Sequence, residues 1–420
     1  MNLINFHEPV TVTFRKSTGG ATMTFDANRD YVIPNNQLER ASQDPAVASR
    51  MLRVSRLDMR IPNFDVRSAR KIGPQRLLFY NGSGGYGDQI MSWPVAKIIS
   101  DHGFEVHALA DPGNQMCWWN FPWIKSVHIL PVQYEFFRLF DHFVVYDNVS
   151  NQDEGPDQLH PVDALLQKIG FDHRAFSSEQ KCVAPYFTPG EFASGAQFRG
   201  RAFAIYQMAA ANPIRCLPPS DSAFLLSKLA QEYPYITWLA LIDGFSSAIH
   251  PHYKGYTDAV TDEEKNDKGE AVKVSKWPNV VPYFSQNLRE LWALTQSARI
   301  VVCPDSMMIH VAGCQGVPCV GLWGLTDAER RAKYYKNHIP IQHREVCAHA
   351  PCFHYLGVFP KYCPPRKDRK ICEVMAAISP EEVIRAVDPF LRPHAPGVKA
   401  PADHPFQLPT EPASGVAVVK

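Results

Sequence analysis

No apolar run in the 420 residues approaches the roughly 20 needed for a membrane-spanning helix, and the first residues, MNLINFHEPV, contain no signal-peptide core. Net charge is almost absent: 43 Lys and Arg stand against 42 Asp and Glu, giving +1, with no basic block. That argues against nucleic acid or an anionic membrane surface as the main partner. The ten cysteines include no C-x-x-C pair and have no secretory context, so buried thiols in a reducing compartment are expected rather than a disulfide scaffold. These absences leave a cytoplasmic α/β-sized chain, long enough for two or three domains.

The chain is organised around RIVVCPDSMMIHVAGCQGVPCVGLWGLT, residues 299–326. Ile300 to Cys303 is a short β-branched run, broken by Pro304 and Asp305. Ser306 to Gln315 then carries Met307, Ile309, Val311 and Ala312 at helical spacing until Gly316 and Pro318. Pro318 to Trp323 is a second buried strand, closed by Gly324. Two apolar runs joined by a short helix imply parallel strands in a covered sheet. Asp305, Ser306 and His310 then fall at the carboxyl end of a strand and over a helix first turn, where α/β sheets bind ligands and where amides and the helix dipole favour an anion such as a diphosphate.

Residues 1–70 read as a β-rich region, with VTVTFRK and ATMTFDA forming a hairpin around Ser17 to Gly20. A first α/β domain is expected over residues 71–190. Arg76 to Tyr80 is a strand, Asn81 to Asp88 a glycine loop, Gln89 to Ser100 a helix and Phe104 to Ala110 the next strand. Gly82, Gly84 and Gly87 satisfy G-x-G-x-x-G, with Asp111 24 residues beyond, a dinucleotide fingerprint that puts an NAD-dependent oxidoreductase on the table. A linker over Thr188 to Gly200 separates a second α/β domain, residues 200–390, opening with the strand Ala202 to Gln207. A helix follows from Asp221 to Gln231, then a strand from Tyr235 to Ile242 and a polar insertion to Lys276, read as a solvated flap. Trp277 to Val281 and Leu288 to Ser297, strand and helix, lead back to residue 299.

After Thr326 the basic stretch ERRAKYYKNH reads as helical. Cys347, Cys352, Cys363 and Cys372 then lie within 347–372, with His343, His349 and His354 interleaved: four soft ligands that could bind structural iron or zinc, or remain inert thiols. ISPEEVIRAV reads as a closing helix with Ser379 as N-cap and Glu382 in capping-box position. Residues 393–420 are Pro- and Ala-rich, the composition of a disordered tail.

Asp-Ser-x-x-x-His, followed by Ala-Gly-x-x-Gly-x-Pro-x-x-Gly-Leu-Trp-Gly-x-Thr, resembles the donor-site signature of the ADP-heptose heptosyltransferases, glycosyltransferase family 9, with its protein-modifying autotransporter branch included. Met307 departs from the family, which has Gly there. The resemblance covers about 76 to 390 and implies a GT-B fold, two Rossmann-like domains facing a cleft. It also implies an inverting transferase that moves a sugar, most simply heptose, from a nucleoside-diphosphate sugar to a glycan, such as a lipopolysaccharide core, or a protein hydroxyl.

Gly87, Asp88 and Pro94 match the family's Gly-Asp turn and helix proline, which implies Asp88 as the general base and Gly84, Gly85 and Gly87 as the acceptor-side loop. Arg215 stands where the family carries a basic residue for the diphosphate. Asp305, Ser306, Met307, His310, Gly324 and Thr326 complete the implied donor site. An Arg fork suits two phosphate oxygens, so the implied catalysis needs no metal. In the autotransporter branch a Cys cluster binds iron, which the resemblance extends to Cys347, Cys352, Cys363 and Cys372. The implied partners are an ADP-heptose donor and a glycan or protein acceptor, with a homo-oligomer open. The rivals are the oxidoreductase, a nucleotide-sugar epimerase and a non-catalytic nucleotide-sugar-binding protein.

Overall fold

The computed structural model describes residues 2–16, 19–33, 35–56, 64–67, 69, 73, 75–82, 85–146, 159–193, 198, 201–242, 251–265, 271–283, 287–352, 363, 371–392 and 417–418. The chain divides into two compact units. One comprises Met1–Ser150, Pro161–Lys181 and Thr410–Lys420; the other comprises Asn151–His160 and Cys182–Pro409.

The first unit begins with antiparallel pieces. Strands β1 (Asn2–Phe6), β4 (Tyr31–Ile33), β5 (Met51–Arg56) and β9 (Val132–Gln133) form a sheet in the order β5-β1-β4-β9. Strands β2 (Val10–Lys16) and β3 (Gly19–Phe25) form the expected hairpin. Its parallel sheet has the order β10-β6-β7-β8-β19, from β6 (Gln75–Asn81), β7 (Phe104–Ala110), β8 (Ile124–Ile129), β10 (His142–Tyr146) and β19 (Ala417–Val418). Residues 77–81 of β6 are all buried, because a central parallel strand is covered on both faces. Val32 of β4 shares a core with Leu78, Leu109 and Phe143, so the antiparallel sheet packs on the parallel one. Of the tail, 393–416 and 419–420 lie outside the described residues, and Ala417–Val418 adds a short parallel strand to β8.

The second unit holds a six-stranded parallel sheet, β15-β12-β11-β16-β17-β18, from β11 (Phe203–Gln207), β12 (Thr237–Leu241), β15 (Val280–Tyr283), β16 (Val301–Pro304), β17 (Cys319–Leu322) and β18 (His338–Ile341). The strand order turns back between β11 and β16, so loops after both strands open at one edge, the position at which such sheets take ligands. β16 and β17 are buried at every residue, as their unbroken apolar runs require.

The insertion after Ile242 is a correction to the solvated flap. Residues 243–250 and 266–270 lie outside the described residues, but Pro251–Val260 is a helix. It buries Tyr253, Tyr256 and Val260 against the helix Pro219–Glu232, and the hairpin β13 (Thr261–Lys265) with β14 (Ala271–Ser275) follows it. The apolar residues at 253, 256 and 260 have helical spacing, which outweighs the charge of TDEEK in the next strand. None of the helices among the described residues is long and apolar enough to cross a membrane.

Candidate functional site

At the second sheet's carboxyl end, β16 delivers Asp305 and the helix Met307–Cys314 begins immediately after it. Ser306 is the N-cap: its Oγ accepts from the Met308 amide at 3.3 Å and donates to Gln207 Oε1 at the end of β11. The Asp305 carboxylate accepts from the Thr326 hydroxyl, and Arg215 Nη1 lies 3.7 Å from its Oδ2 while donating to the Asp305 carbonyl at 3.3 Å. Burial by itself would raise the Asp305 pKa. Arg215, then the Thr326 hydroxyl, then the Arg331 and His310 charges outweigh it and hold the carboxyl below its ordinary value. Asp305 is therefore a fixed anion that orders a guanidinium beside the head of a helix.

Arg215 reaches this place through a tightly tied loop. Asn212 caps a short 3-10 turn, Pro213–Arg215, and Ala210 donates its amide to Cys216 Sγ at 3.0 Å. Tyr256 of the insertion helix donates to the Leu217 carbonyl at 2.6 Å. Burial pushes the Cys216 thiol up to about 11, so it is a neutral sulfur acceptor there.

His310 is buried and shares a 2.9 Å hydrogen bond between Nδ1 and the Tyr335 hydroxyl. Tyr335 lies flat enough on Gly313 that a Cβ there would come within 2.2 Å of its ring. Met307 turns its sulfur to the Trp292 indole, which donates at 3.3 Å. The residue that departs from the family pattern is thereby accommodated by a local partner. Gly324 is a close approach: a Cβ would lie 2.7 Å from Met375 Cγ and 3.3 Å from Cys372 Sγ.

Sequence reasoning missed Gln207 and Arg331. Gln207 ends a strand at the sheet's ligand edge, a signal that could have found it. Arg331 sits in ERRAKYYKNH, yet it is buried on the helix Ala328–Ala332 and its charge acts on Asp305.

At the first sheet's carboxyl end the expectation of a glycine loop to Asp88 with a helix from Gln89 is corrected. The helix is Tyr86–Asp101, Gly85 is its N-cap position, and Asp88 and Gly87 are inside the first turn. Asp88 at the third helical position suits the positive end of the dipole. Gly84 lies outside the described residues. Asp111, part of the dinucleotide fingerprint of the oxidoreductase reading, is 2% exposed and accepts from the Tyr80 hydroxyl at 3.1 Å.

The four cysteines of 347–372 share the second unit's core. Cys352 and Cys372 are each raised first by burial and then by their neighbouring thiols, with Cys352 pushed up to about 12. Among the described residues no group of three or more His, Cys, Asp or Glu side chains stands in metal-holding geometry. His354 lies outside them, and His343 is drawn away to Glu345 and Glu382. Ser379 caps Pro380–Leu391 as expected, accepting from the Glu382 amide, whereas the Glu382 carboxylate bonds His343, so the reciprocal half of the capping box is given to a tertiary contact.

The sequence profile of glycosyltransferase family 9 (heptosyltransferase) matches residues 268–363, which include β16, Asp305, His310 and Thr326. The chain resembles glycosyltransferase family 9. The structure of the ADP-heptose lps heptosyltransferase II of E. coli aligns with TM-score 0.53 at 13% identity, covering 76% of this chain and 99% of that one. A family 9 glycosyl transferase from Veillonella parvula DSM 2008 aligns with TM-score 0.51 at 13% identity, covering 77% and 99%. The fold is thus that of the GT-B heptosyltransferases, two parallel α/β sheets, here with small antiparallel N-terminal sheets. No curated protein matches the chain by sequence.

Proposed function

We propose that this chain is an inverting heptosyltransferase that takes heptose from ADP-heptose and transfers it to a hydroxyl of a glycan or protein acceptor. The observation that carries the reading is the Asp305 cluster: a buried carboxylate pinned by Thr326 and Arg215 at the head of a helix, inside the segment that the family profile matches. In this reading residues 200–390 form the donor domain and residues 71–190 the acceptor domain. Residues 1–70 are left without a role in transfer.

The chemistry follows from the residues. Arg215 and the Ser306–Met307 turn receive the diphosphate, while Asp305, His310 and Thr326 orient the donor, with Gly324 leaving the backbone close to it. The acceptor oxygen forms a bond to the anomeric carbon as the bond from that carbon to the diphosphate oxygen breaks. Asp88 takes the hydroxyl proton, ADP leaves with the negative charge, and Arg215 stabilises that charge. One displacement inverts the anomeric centre. Arg215 and the helix dipole supply the charge that a metal would otherwise provide, so chelation is expected to leave the rate unchanged. Cys347, Cys352, Cys363 and Cys372 are either inert thiols or the soft donors that would gather around a structural iron or zinc, although the described residues do not stand in metal-holding geometry, and metal analysis of purified protein decides between the two. None of the ten cysteines is in a disulfide, as suits the cytoplasm, where we place the enzyme.

The test is ADP release from ADP-heptose, first with heptose-free lipopolysaccharide and then with a serine-rich polypeptide as acceptor. Thermal shift is measured in parallel with ADP-heptose, GDP- and UDP-sugars and NAD. Ligand at about a hundred times its Kd adds roughly 2.7 kcal/mol of stability. Stabilisation by ADP-heptose that disappears in Arg215→Ala supports the reading. Stabilisation by NAD alone overturns it.

A further inference from the structure

We infer that the strand-to-helix turn of the first unit is a mount for the Asp88 carboxylate, in which Gly85 keeps open the space that the carboxylate occupies and Asn81 and Gln89 are positioning residues. The inference rests on the reading of Asp88 as the base.

Gly85 carries the first observation. Its backbone, φ −88° and ψ 133°, is ordinary extended geometry that any residue adopts, and the position is exposed. Neither conformation nor a crowded core requires glycine there. A Cβ would instead lie 2.9 Å from Asp88 Oδ2, and the next atom it meets, at 3.8 Å, is Asp88 Cγ. Among the described residues, the group that needs the glycine is the Asp88 carboxylate folded back over it.

The second observation lies beneath the turn. Asn81, the last residue of β6, is fully buried and donates from Nδ2 to the Asp88 carbonyl at 3.0 Å and to Ser92 Oγ at 3.1 Å. Its own carbonyl accepts from Gln89 Nε2 at 3.1 Å, and Gln89 Oε1 accepts from the buried Trp118 indole at 3.1 Å. Ser92 closes the set by donating to the Gln89 carbonyl at 2.7 Å. Residues 88, 89 and 92 of the helix are thereby tied to the strand end and to Trp118. Asn81, Gln89, Ser92 and Trp118 thus fix the carbonyl and backbone of residue 88 through neutral groups. A displaced catalytic group loses rate steeply, about a hundredfold for a shift near 1 Å. A laced mount is what such a group requires.

The experiment compares wild type, Gly85→Ala, Gln89→Leu, Asp88→Asn and the double variant Gly85→Ala/Asp88→Asn. The readout is ADP release from ADP-heptose with whichever acceptor the wild type uses, or with water as acceptor where neither supports release. Gly85→Ala is expected to keep its melting temperature and its KM for ADP-heptose while kcat falls about ten- to a hundredfold. Gln89→Leu is expected to lower kcat with the same KM, and if it fails to fold, Gly85→Ala decides. In the Asp88→Asn background Gly85→Ala should change nothing further, which a merely structural role would not produce. Wild-type kcat in Gly85→Ala, or an equal loss in both backgrounds, overturns the inference while leaving Asp88 as base. Full transfer by Asp88→Asn, or no ADP release by the wild type at all, overturns the functional reading itself.

Discussion

The two parallel sheets each end in an aspartate beside a helix start, yet they hold it by opposite means. Asp305 is held by charge: it is buried, with Arg215 3.7 Å away and Arg331 and His310 acting on it. Asp88 is held by shape and neutral hydrogen bonds, with Gly85 below its carboxylate and Asn81 and Gln89 below its backbone. Under the proposed function the difference would serve two chemical tasks. A group that organises cations for a leaving diphosphate gains from being a permanent, paired anion. A group that must accept a proton gains from being positioned through its backbone.

The comparison can be broken most directly at the charge-held end. Asp305→Ala leaves Arg215 and Arg331 without their carboxylate in a buried setting, and breaking a buried pair costs about 3–5 kcal/mol. Chemical denaturation should show that loss, together with the disappearance of stabilisation by ADP-heptose. Asp88→Asn tests the other end. It should lower kcat by roughly 10²–10⁴ while stability and donor affinity stay put, measured by turnover beside thermal shift. An Asp88→Asn protein as unstable as Asp305→Ala would erase the contrast.

Gly313→Ala is the next smaller change. The new methyl would meet the Tyr335 ring at 2.2 Å and disturb the His310 hydroxyl contact, an overpacking cost of about 1–3 kcal/mol. Acid should also separate the two units. In the first, burial and then His107 push His128 down to about 4, and His107 is likewise lowered chiefly by burial. A histidine whose folded value lies below its unfolded 6.5 contributes fully above that pH, and the contribution is lost as pH falls from 6.5 toward 4. In the second unit the depressed Asp305 contributes above its unfolded 3.8 and loses that only at lower pH. Fluorescence or calorimetry against pH should therefore show the first unit weakening earlier, and a single transition at pH 5 with both units equally affected would contradict it. Met307→Ala, the smallest step, removes one indole-to-sulfur contact on a favourable helical residue and should cost under about 1 kcal/mol, with donor binding retained.

Much of this was legible from residue patterns. The strand-helix-strand of 299–326 folds where its apolar runs and its Ser306 cap place it, because those signals are local. The start of the helix Tyr86–Asp101 was not legible: a glycine-rich stretch reads as loop, whereas the buried Asn81 at the end of β6 donates to the Asp88 carbonyl and Gln89 of the helix donates back to the Asn81 carbonyl. Arg331 falls in a stretch that reads only as basic and helical, because sequence carries charge but not the direction a side chain takes. The insertion after Ile242 was read from its charge, while Tyr253, Tyr256 and Val260 anchor its helix in the core.

The sequence by itself determined the two α/β halves, the donor-site spacing and the family resemblance, since each depends on the order of residues within one strand-turn-helix unit. Tertiary structure alone decided which side chains from distant segments meet: Arg215 with Asp305, 90 residues apart, and Gln207 with Ser306, 99 apart. Those pairings exist because parallel strands bring loops that are remote along the chain to the same sheet edge.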